Sequence, residues 1–357
     1  MYTTRIGQLS PDLLTLWLEL LDSCRSPVGP LLHPDYVRAV DVVRDDVEVG
    51  VLEEDGEVKG FLPFQRGKLG IARPVGGRLC DQSGAILRAG ATWNPREFVR
   101  AAGLRAIRLP NAPIGDASLR PYQDRPIQTT TMDFPDGFEA YRRERRESGS
   151  KLMHQIDRRV RKGEREVGPM RFVWHTDDDD VFTRLLEWKA KQRRATGTPN
   201  VFDLPWARAL VEHLRTVRTD DFEGLLSAVY FGDRLAAAHF GVRWGKVIHY
   251  WVPAYSEEMG QYSPGLTCLM GVAREASARG VVRVDLGLGG HRFKQRAGTR
   301  CHEVATATVC ADPAVGAMLS TADGVRAWAR RSRVSGMLRT TRRAVTRGSY
   351  LARSLLS

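Results

Sequence analysis

The sequence predicts an α/β protein in which one structural unit is duplicated. Its 357 residues are more than one ordinary hydrophobic core fills, so we expect two domains. Two predicted β-hairpins resemble each other: residues 47–63 turn at an Asp-Gly pair, and residues 225–242 turn at a Gly-Asp pair. A helical stretch precedes each hairpin, at residues 34–43 and 205–217. Because the order of helix, strand, turn and strand occurs twice, we predict a repeat.

The composition is that of a soluble globular protein, with 42% hydrophobic and 27% charged residues. Residues 13–21 are apolar, but this segment is too short to span a bilayer and contains Glu19. We predict an amphipathic helix there, capped by Ser10 with Pro11 at its first position. Five scattered cysteines without a C-x-x-C spacing fit a reducing compartment. We therefore expect a cytoplasmic protein.

A charge-dense helical segment lies between the two hairpins, at residues 136–167. Ser148-Gly149-Ser150 interrupts it, and we place the domain boundary there. The predicted domains are residues 1–148 and 149–312, followed by a basic helical tail at residues 313–357.

The predicted tail carries most of the net charge of +12, because nine arginines and no acidic residue follow Asp323. A tail with apolar side chains among arginines suits the surface of an anionic membrane. A solvated or partly disordered basic end is the alternative. Nucleic acid is the less favoured partner, because the tail has no known DNA-binding pattern and few aromatic residues.

A strand, a tight turn and a helix follow one another at residues 249–252, 262–265 and 266–279. This order directs free backbone N–H groups and the positive end of the helix dipole at one point, which suits a phosphate group. A second strand, residues 281–286, runs into a glycine-rich loop that ends in Lys294. The two pieces together predict a site for a phosphorylated cofactor between neighbouring strands.

These motifs resemble the GNAT superfamily of acyl-CoA-dependent N-acyltransferases, in the branch associated with cellulose and exopolysaccharide biosynthesis. That branch has an Asp, a Gly four residues later and an aromatic–Lys pair four residues beyond. The matching residues here are Asp285, Gly289 and Phe293-Lys294. Other segments resemble the branch in the same order, at residues 76–84, 188–197, 201–206, 236–243, 251–255 and 262–265.

The resemblance implies two tandem GNAT-like domains, each a mixed, twisted sheet flanked by helices, and a relationship to Fem-type transferases. It also implies an acyl-CoA co-substrate, bound where two strands splay near Pro253. Two features depart from the family. The aromatic residue before the lysine is usually Tyr but is Phe293 here, so a mechanism that uses that hydroxyl cannot operate. Residues 261–266 are a degenerate version of the glycine-rich pyrophosphate loop.

The candidate cofactor-binding residues are Ser263, Gly265 and Leu266 at the start of the helix, with Gly289 and Lys294 in the second loop. The alternative for the first three is an ordinary helix start. Lys294 would neutralise a phosphate or a thiolate, unless it is a solvated surface lysine.

Acyl transfer to an amine needs a base for the amine and a proton or positive neighbour for the leaving thiolate. Asp285, His249 and His239 are the candidate bases, and Tyr255 and Tyr250 are the candidate proton donors. Asp285 could instead hold the glycine loop, His239 could be a core histidine, and the tyrosines could be packed aromatics. His249 and Tyr250 alternate along a strand, so only one of them faces the cleft.

Lys189, Gln192 and Arg193 are the candidate acceptor-binding residues of the second domain, and Asp81 is the candidate from the first. A solvated helix face and a turn-forming aspartate are the alternatives. The acidic run at residues 177–180 is assigned to the start of a helix, where carboxylates suit the dipole. We expect no metal site, and no G-x-S-x-G or Cys–His pair indicates a hydrolase.

The predicted function is transfer of an acyl group from acyl-CoA to an amine of an amino-sugar or glycoconjugate precursor. One alternative is an aminoacyl-tRNA-dependent peptidyltransferase of the Fem type, with tRNA bound by the arginine-rich residues 142–165. The other is a non-catalytic, membrane-associated factor for polysaccharide assembly.

Overall fold

The computed structural model describes residues 1–23, 29–289 and 292–319. The helices are α1 (Pro11–Ser23), α2 (Pro34–Val43), α3 (Pro95–Ala101), α4 (Phe138–Glu147), α5 (Leu152–Glu166), α6 (Asp179–Ala195), α7 (Pro205–Thr216), α8 (Pro264–Ala278) and α9 (Arg292–Ala297). The strands are β1 (Tyr2–Thr4), β2 (Val47–Glu54), β3 (Glu57–Arg66), β4 (Ile71–Arg73), β5 (Ile86–Leu87), β6 (Ala106–Pro113), β7 (Ile127–Asp133), β8 (Met170–Val173), β9 (Phe222–Phe231), β10 (Arg234–Trp244), β11 (Val247–Tyr255), β12 (Arg283–Leu288) and β13 (Arg300–Cys310).

The strands of the described residues form one mixed sheet with helices packed against it. The order is β1-β2-β3-β4-β6-β13-β7-β12-β11-β10-β9-β8, and β5 pairs with β3. The strand pairs are antiparallel except β4 with β6 and β11 with β12, which are parallel. The predicted α/β class with a mixed sheet is therefore confirmed.

The predicted repeat is present as α2–β2–β3 and α7–β9–β10. The first hairpin turns at Asp55-Gly56, where both residues have positive φ, and the second turns at Gly232, also with positive φ. Glycine suits these positions because it has no Cβ to clash in the left-handed region. The two units meet where α2 packs against α7 and where the Thr219 hydroxyl donates to Asp35 at 3.2 Å.

The two predicted sheets are joined into one, which the sequence did not indicate. β7 lies before the predicted domain boundary, yet it pairs with β12, and the late strand β13 lies between β6 and β7. Ala305, Ala307 and Val309 alternate on the buried face of β13 and continue the buried face of its neighbour β6. The residues that pair between β6 and β13 lie more than half the chain length apart in sequence, so no local pattern reveals the pairing. The predicted boundary at residue 148 stays a prediction.

The predicted helices are confirmed along the described chain. The break at residues 148–150 separates α4 from α5. The acidic run begins α6: the carboxylate of Asp178 accepts hydrogen bonds from the backbone N–H groups of Asp180 and Val181. Among the residues that the structure describes, no helix is both long and apolar enough to cross a membrane. Residues 320–357, most of the predicted tail, lie outside the described residues.

Candidate active site

Strands β11 and β12 form a fork. They pair in parallel through Val247, Ile248 and His249 opposite Arg283, Val284 and Asp285, and the described ladder ends at the His249–Asp285 pair. Beyond it the register of β12 with β7 shifts, and Gly287 has a φ of 70°. This irregularity begins where the pairing of β12 with β11 ends. The fork opens towards the start of α8, four residues earlier along β11 than the predicted splay at Pro253.

A histidine between two carboxylates lies at the closed end of the fork. The His249 ring is fully buried, with Nδ1 3.3 Å from Oδ2 of Asp285 and Nε2 3.7 Å from Oδ2 of Asp81. Burial opposes protonation of His249, but the hydrogen bond to Asp285 and the charges of Asp285 and Asp81 outweigh it and raise the pKa of the imidazole. His249 and Asp285 are predicted site residues from the second half of the chain, and Asp81 is one from the first.

Asp285 is held by three hydrogen-bond donors. Oδ1 accepts from the backbone N–H of Gly287 at 2.8 Å, and Oδ2 accepts from Nε2 of Gln82 at 2.7 Å and faces the ring of His249. Burial opposes ionisation of Asp285, but these hydrogen bonds outweigh it and lower the pKa of the carboxyl. Asp285 therefore also anchors the glycine loop, as the alternative interpretation held. The sequence did not predict the role of Gln82. Gln82 and Asp285 are 203 positions apart, and no local motif indicates that they are in contact.

The carboxylate of Asp81 is the more open member of the group, with 37% of its side chain exposed. Desolvation raises the pKa of Asp81, and repulsion by Asp285 adds to it against the attraction of His249 and Lys294. A Cβ built on Gly287 would lie 3.0 Å from Oδ2 of Asp81 and 3.6 Å from the ring of His249. The missing side chain of Gly287 thus gives the two groups room to meet.

Two lysines reach the same region. The Lys294 ammonium donates to the carbonyl of Leu288, and burial lowers the pKa of Lys294 against the attraction of Asp81 and Asp285. Lys294 is 8% exposed, so the surface-lysine interpretation was wrong. Lys189 of α6 donates to the carbonyl of Pro253 at 3.1 Å. Burial, with repulsion by Arg193 and Lys294, lowers the pKa of Lys189 to about 8.

The start of α8 forms a polar cradle at the open end of the fork. Ser263 has a φ of 55°, and its hydroxyl accepts a hydrogen bond from the Arg159 guanidinium of α5. Gly265 lies under the ring of Tyr255: a Cβ at residue 265 would lie 3.1 Å from that ring. The predicted cradle residues Ser263, Gly265 and Leu266 therefore share one helix start with a cation above it, which suits an anionic group.

A cleft of about 1080 Å³ opens beside the histidine group. Asp81, Gln82 and Asp285 line one part of it, and loops and strands of the first half, together with β13, form the rest. Thr129, Thr131 and Ser83 contribute hydroxyl groups, and Leu87, Ile114 and Val304 contribute apolar surface. A small polar molecule in this cleft would lie against the Asp81 carboxylate.

Other predicted residues lie outside this group. His239 is fully buried and stacks on Tyr250 with ring centroids 3.9 Å apart; neither ring nitrogen has a hydrogen-bond partner in the described part of the chain. Burial lowers the pKa of His239 well below its usual range, so the ring stays neutral. Tyr255 is 41% exposed and lies at the cradle rather than beside His249.

Gln192 and Arg193 follow Lys189 on α6. Arg193 is exposed, and its charge still influences both Lys189 and Asp81. Gly289 ends the described part of the loop after β12.

His33, Asp35 and Asp221 are the group of potential metal ligands among the described residues. Nδ1 of His33 accepts the backbone N–H of Asp35, which places the ring proton on Nε2, 3.5 Å from Asp221. A metal would need the Nε2 lone pair, which the ring proton occupies in this tautomer. The contacts of His33 instead fit a cap at the start of α2 that links the two repeat units.

Residues 150–295 match the family model of the GNAT acetyltransferase domain. The structure of FemX is 12% identical in sequence, with a TM-score of 0.58, over 87% of this chain and 97% of FemX. The C-terminal domain of a protein described as a lysylphosphatidylglycerol synthetase from Agrobacterium fabrum is 11% identical, with a TM-score of 0.51, over 87% of this chain and 97% of that domain. At such identities these likenesses show the fold alone. No curated protein sequence matches this chain significantly.

Proposed function

We propose that this chain, whose residues 150–295 match the GNAT acetyltransferase domain, transfers an acyl group from acyl-CoA to an amine of an amino-sugar or glycoconjugate precursor. The observation that carries the proposal is the fork between β11 and β12, closed by His249 and Asp285. The fork leaves backbone groups of β11 without a partner from β12, and such groups bind an extended, amide-bearing chain.

The cradle is the proposed pyrophosphate site. The dipole of the α8 helix and the Arg159 guanidinium both favour negative charge at Ser263. Lys162 extends the positive surface, since its ammonium donates to Gln261 in the turn before α8 at 2.9 Å. These contacts support phosphate binding although the loop has few glycines, because the helix dipole and the two cations supply positive charge at this point.

The histidine group is the proposed base. The Asp285 carboxylate accepts the Nδ1 proton of His249, which leaves the Nε2 lone pair facing Asp81, and Asp81 in turn lines the cleft. Asp81 would hold the acceptor as an ammonium ion, and His249 would accept its proton through Nε2. The neutral amine then attacks the thioester carbonyl; the C–N bond forms as the C–S bond breaks. Lys294 places positive charge near the leaving thiolate and so replaces the hydroxyl that Phe293 lacks.

One observation favours the Fem-type alternative. Arg158, Arg159, Arg161 and Arg165 are exposed on α5, the helix that borders the cradle. Such a basic surface suits a longer polyanion than CoA, including the backbone of a tRNA. Peripheral contact of the arginine-rich tail with an anionic membrane is a separate part of the proposal and rests on the sequence alone.

Calorimetric titration with acetyl-CoA tests the proposal, using the wild type, Arg159→Ala and the matched control Arg158→Ala. Arg159 contacts Ser263 whereas Arg158 is an exposed neighbour on α5, so we expect weaker binding in Arg159→Ala alone. A lost charged hydrogen bond costs about 1.5–3 kcal/mol, or roughly 10- to 100-fold in Kd. If acetyl-CoA does not bind and an aminoacyl-tRNA binds in a salt-sensitive way, the donor is the tRNA. Binding of neither would favour the non-catalytic assembly factor.

A further inference from the structure

Lys189 occupies an unusual place for a charged side chain. Its ammonium reaches from α6 to the carbonyl of Pro253 on β11. Pro253 pairs with His239 of β10 on one side, and it lies beyond the last pair of β11 with β12 on the other. Lys189 therefore contacts β11 along the fork.

In the part of the chain that the structure describes, no carboxylate forms an ion pair with Lys189. Its described hydrogen bond goes to a backbone carbonyl, which carries no charge. Arg193 and Lys294 add positive charge, and Asp81, which already faces His249, is the attracting carboxylate. Lys191, two residues further along α6, is different: it is 59% exposed, and its ammonium lies 2.6 Å from the Glu257 carboxylate. Lys191 is therefore an exposed, ion-paired lysine on the same helix.

Desolvation and repulsion by neighbouring cations favour the neutral amine form of Lys189. Because the pKa of Lys189 is about 8, the side chain is neutral in about half of the molecules at a pH of about 8. An ordinary lysine is neutral in well under about one per cent of molecules at that pH. A neutral amine that donates one N–H to Pro253 keeps its lone pair free for attack.

We propose that Lys189 is a site of self-acylation by an acyl thioester bound in the fork. The Nζ lone pair attacks the thioester carbonyl, an amide C–N bond forms and the C–S bond breaks. The proton lost from nitrogen goes to the thiolate, so the products are Nε-acyl-lysine and free CoA. This inference rests on the proposed function, because it needs the acyl-CoA in the fork. The acylated side chain would be longer by the acyl group and would lose its charge beside Asp81, which alters the acceptor side of the site.

The test is incubation of the full-length protein with labelled acetyl-CoA and no acceptor, followed by intact mass measurement and peptide mapping. We expect one acetyl group per chain, on Lys189, with a rate that rises as the pH passes through about 8. Excess free CoA should slow the reaction, because it competes for the fork. Lys189→Arg should abolish this label, and the matched control Lys191→Arg should keep it.

Calorimetry on the same preparation separates two kinds of failure. If acetyl-CoA binds but Lys189 stays unlabelled, or if Lys191 is labelled equally fast, self-acylation is wrong and the proposed function stands. If acetyl-CoA does not bind, the proposed function fails and this inference fails with it. Mapping of the wild-type protein decides the question even if the Lys189 variant folds poorly.

Discussion

Replacement of Asp285 by Asn should lower the pKa of His249 and reverse the tautomer of its ring. The side chain keeps its size but loses the charge that lies 3.3 Å from Nδ1. In the wild type this carboxylate holds the proton on Nδ1. An amide can instead donate to Nδ1, which moves the ring proton to Nε2 and removes the lone pair that faces Asp81.

The expected size follows from the distance. Two unit charges 3.3 Å apart interact by about 5 kcal/mol at an effective dielectric constant of about 20. Burial offsets much of this energy, and an amide still offers a hydrogen bond. We therefore expect a net loss of about 1.5–3 kcal/mol, the usual worth of a hydrogen bond to a charged group. That energy corresponds to a pKa of His249 about one to two units lower in the variant.

The assay is an NMR titration of the histidine rings in the wild type and Asp285→Asn, with exposed His154 as the internal reference. In the wild type the raised pKa of His249 means that its protonated form stabilises the fold, fully below the unfolded value of about 6.5. This stabilisation disappears as the pH rises through the folded value. The lowered pKa of Asp285 gives a contribution that disappears as the pH falls through its folded value.

The variant should therefore lose most stability at pH values where Asp285 is ionised and His249 is protonated. An unchanged or higher pKa of His249 in Asp285→Asn would refute the assignment of Asp285 as the residue that orients the histidine.

Three further predictions concern the same site. His249→Gln should reduce kcat/KM by about 10²- to 10⁴-fold, the usual contribution of a general base; wild-type activity should rise as the pH passes through the raised pKa of His249. Gly287→Ala should destabilise the protein by about 1–2 kcal/mol from left-handed strain and also lose activity. Gly56→Ala has similar strain in open space, so it should lose stability without losing activity. Equal activities of the two glycine variants would contradict the role of the space above Gly287.

The site residues from the second half of the chain were predictable from short sequence patterns. The strand, turn and helix that place His249 and Ser263 follow one another in sequence, so their patterns predict their contacts. Alternation along β11 showed that His249 and Tyr250 face opposite sides, but it did not decide which side faces the cleft. The structure places His249 in the site and stacks Tyr250 on His239.

Contacts between distant segments were not predictable. Gln82 reaches Asp285 across 203 positions, and the strand pairing that brings β13 beside β6 has no short-range signal. Asp81 was named from its glycine-rich turn, yet its approach to His249 depends on the joined sheet. Such non-local contacts follow from the whole topology and not from any one motif.

A crystal structure with a non-hydrolysable acetyl-CoA analogue tests the central claim most directly. The account predicts the carbonyl of the analogue in the fork between β11 and β12, near His249, with the pyrophosphate over the start of α8 beside Ser263 and Arg159. Density for the analogue elsewhere on the protein, with an empty fork at saturating concentration, would contradict it.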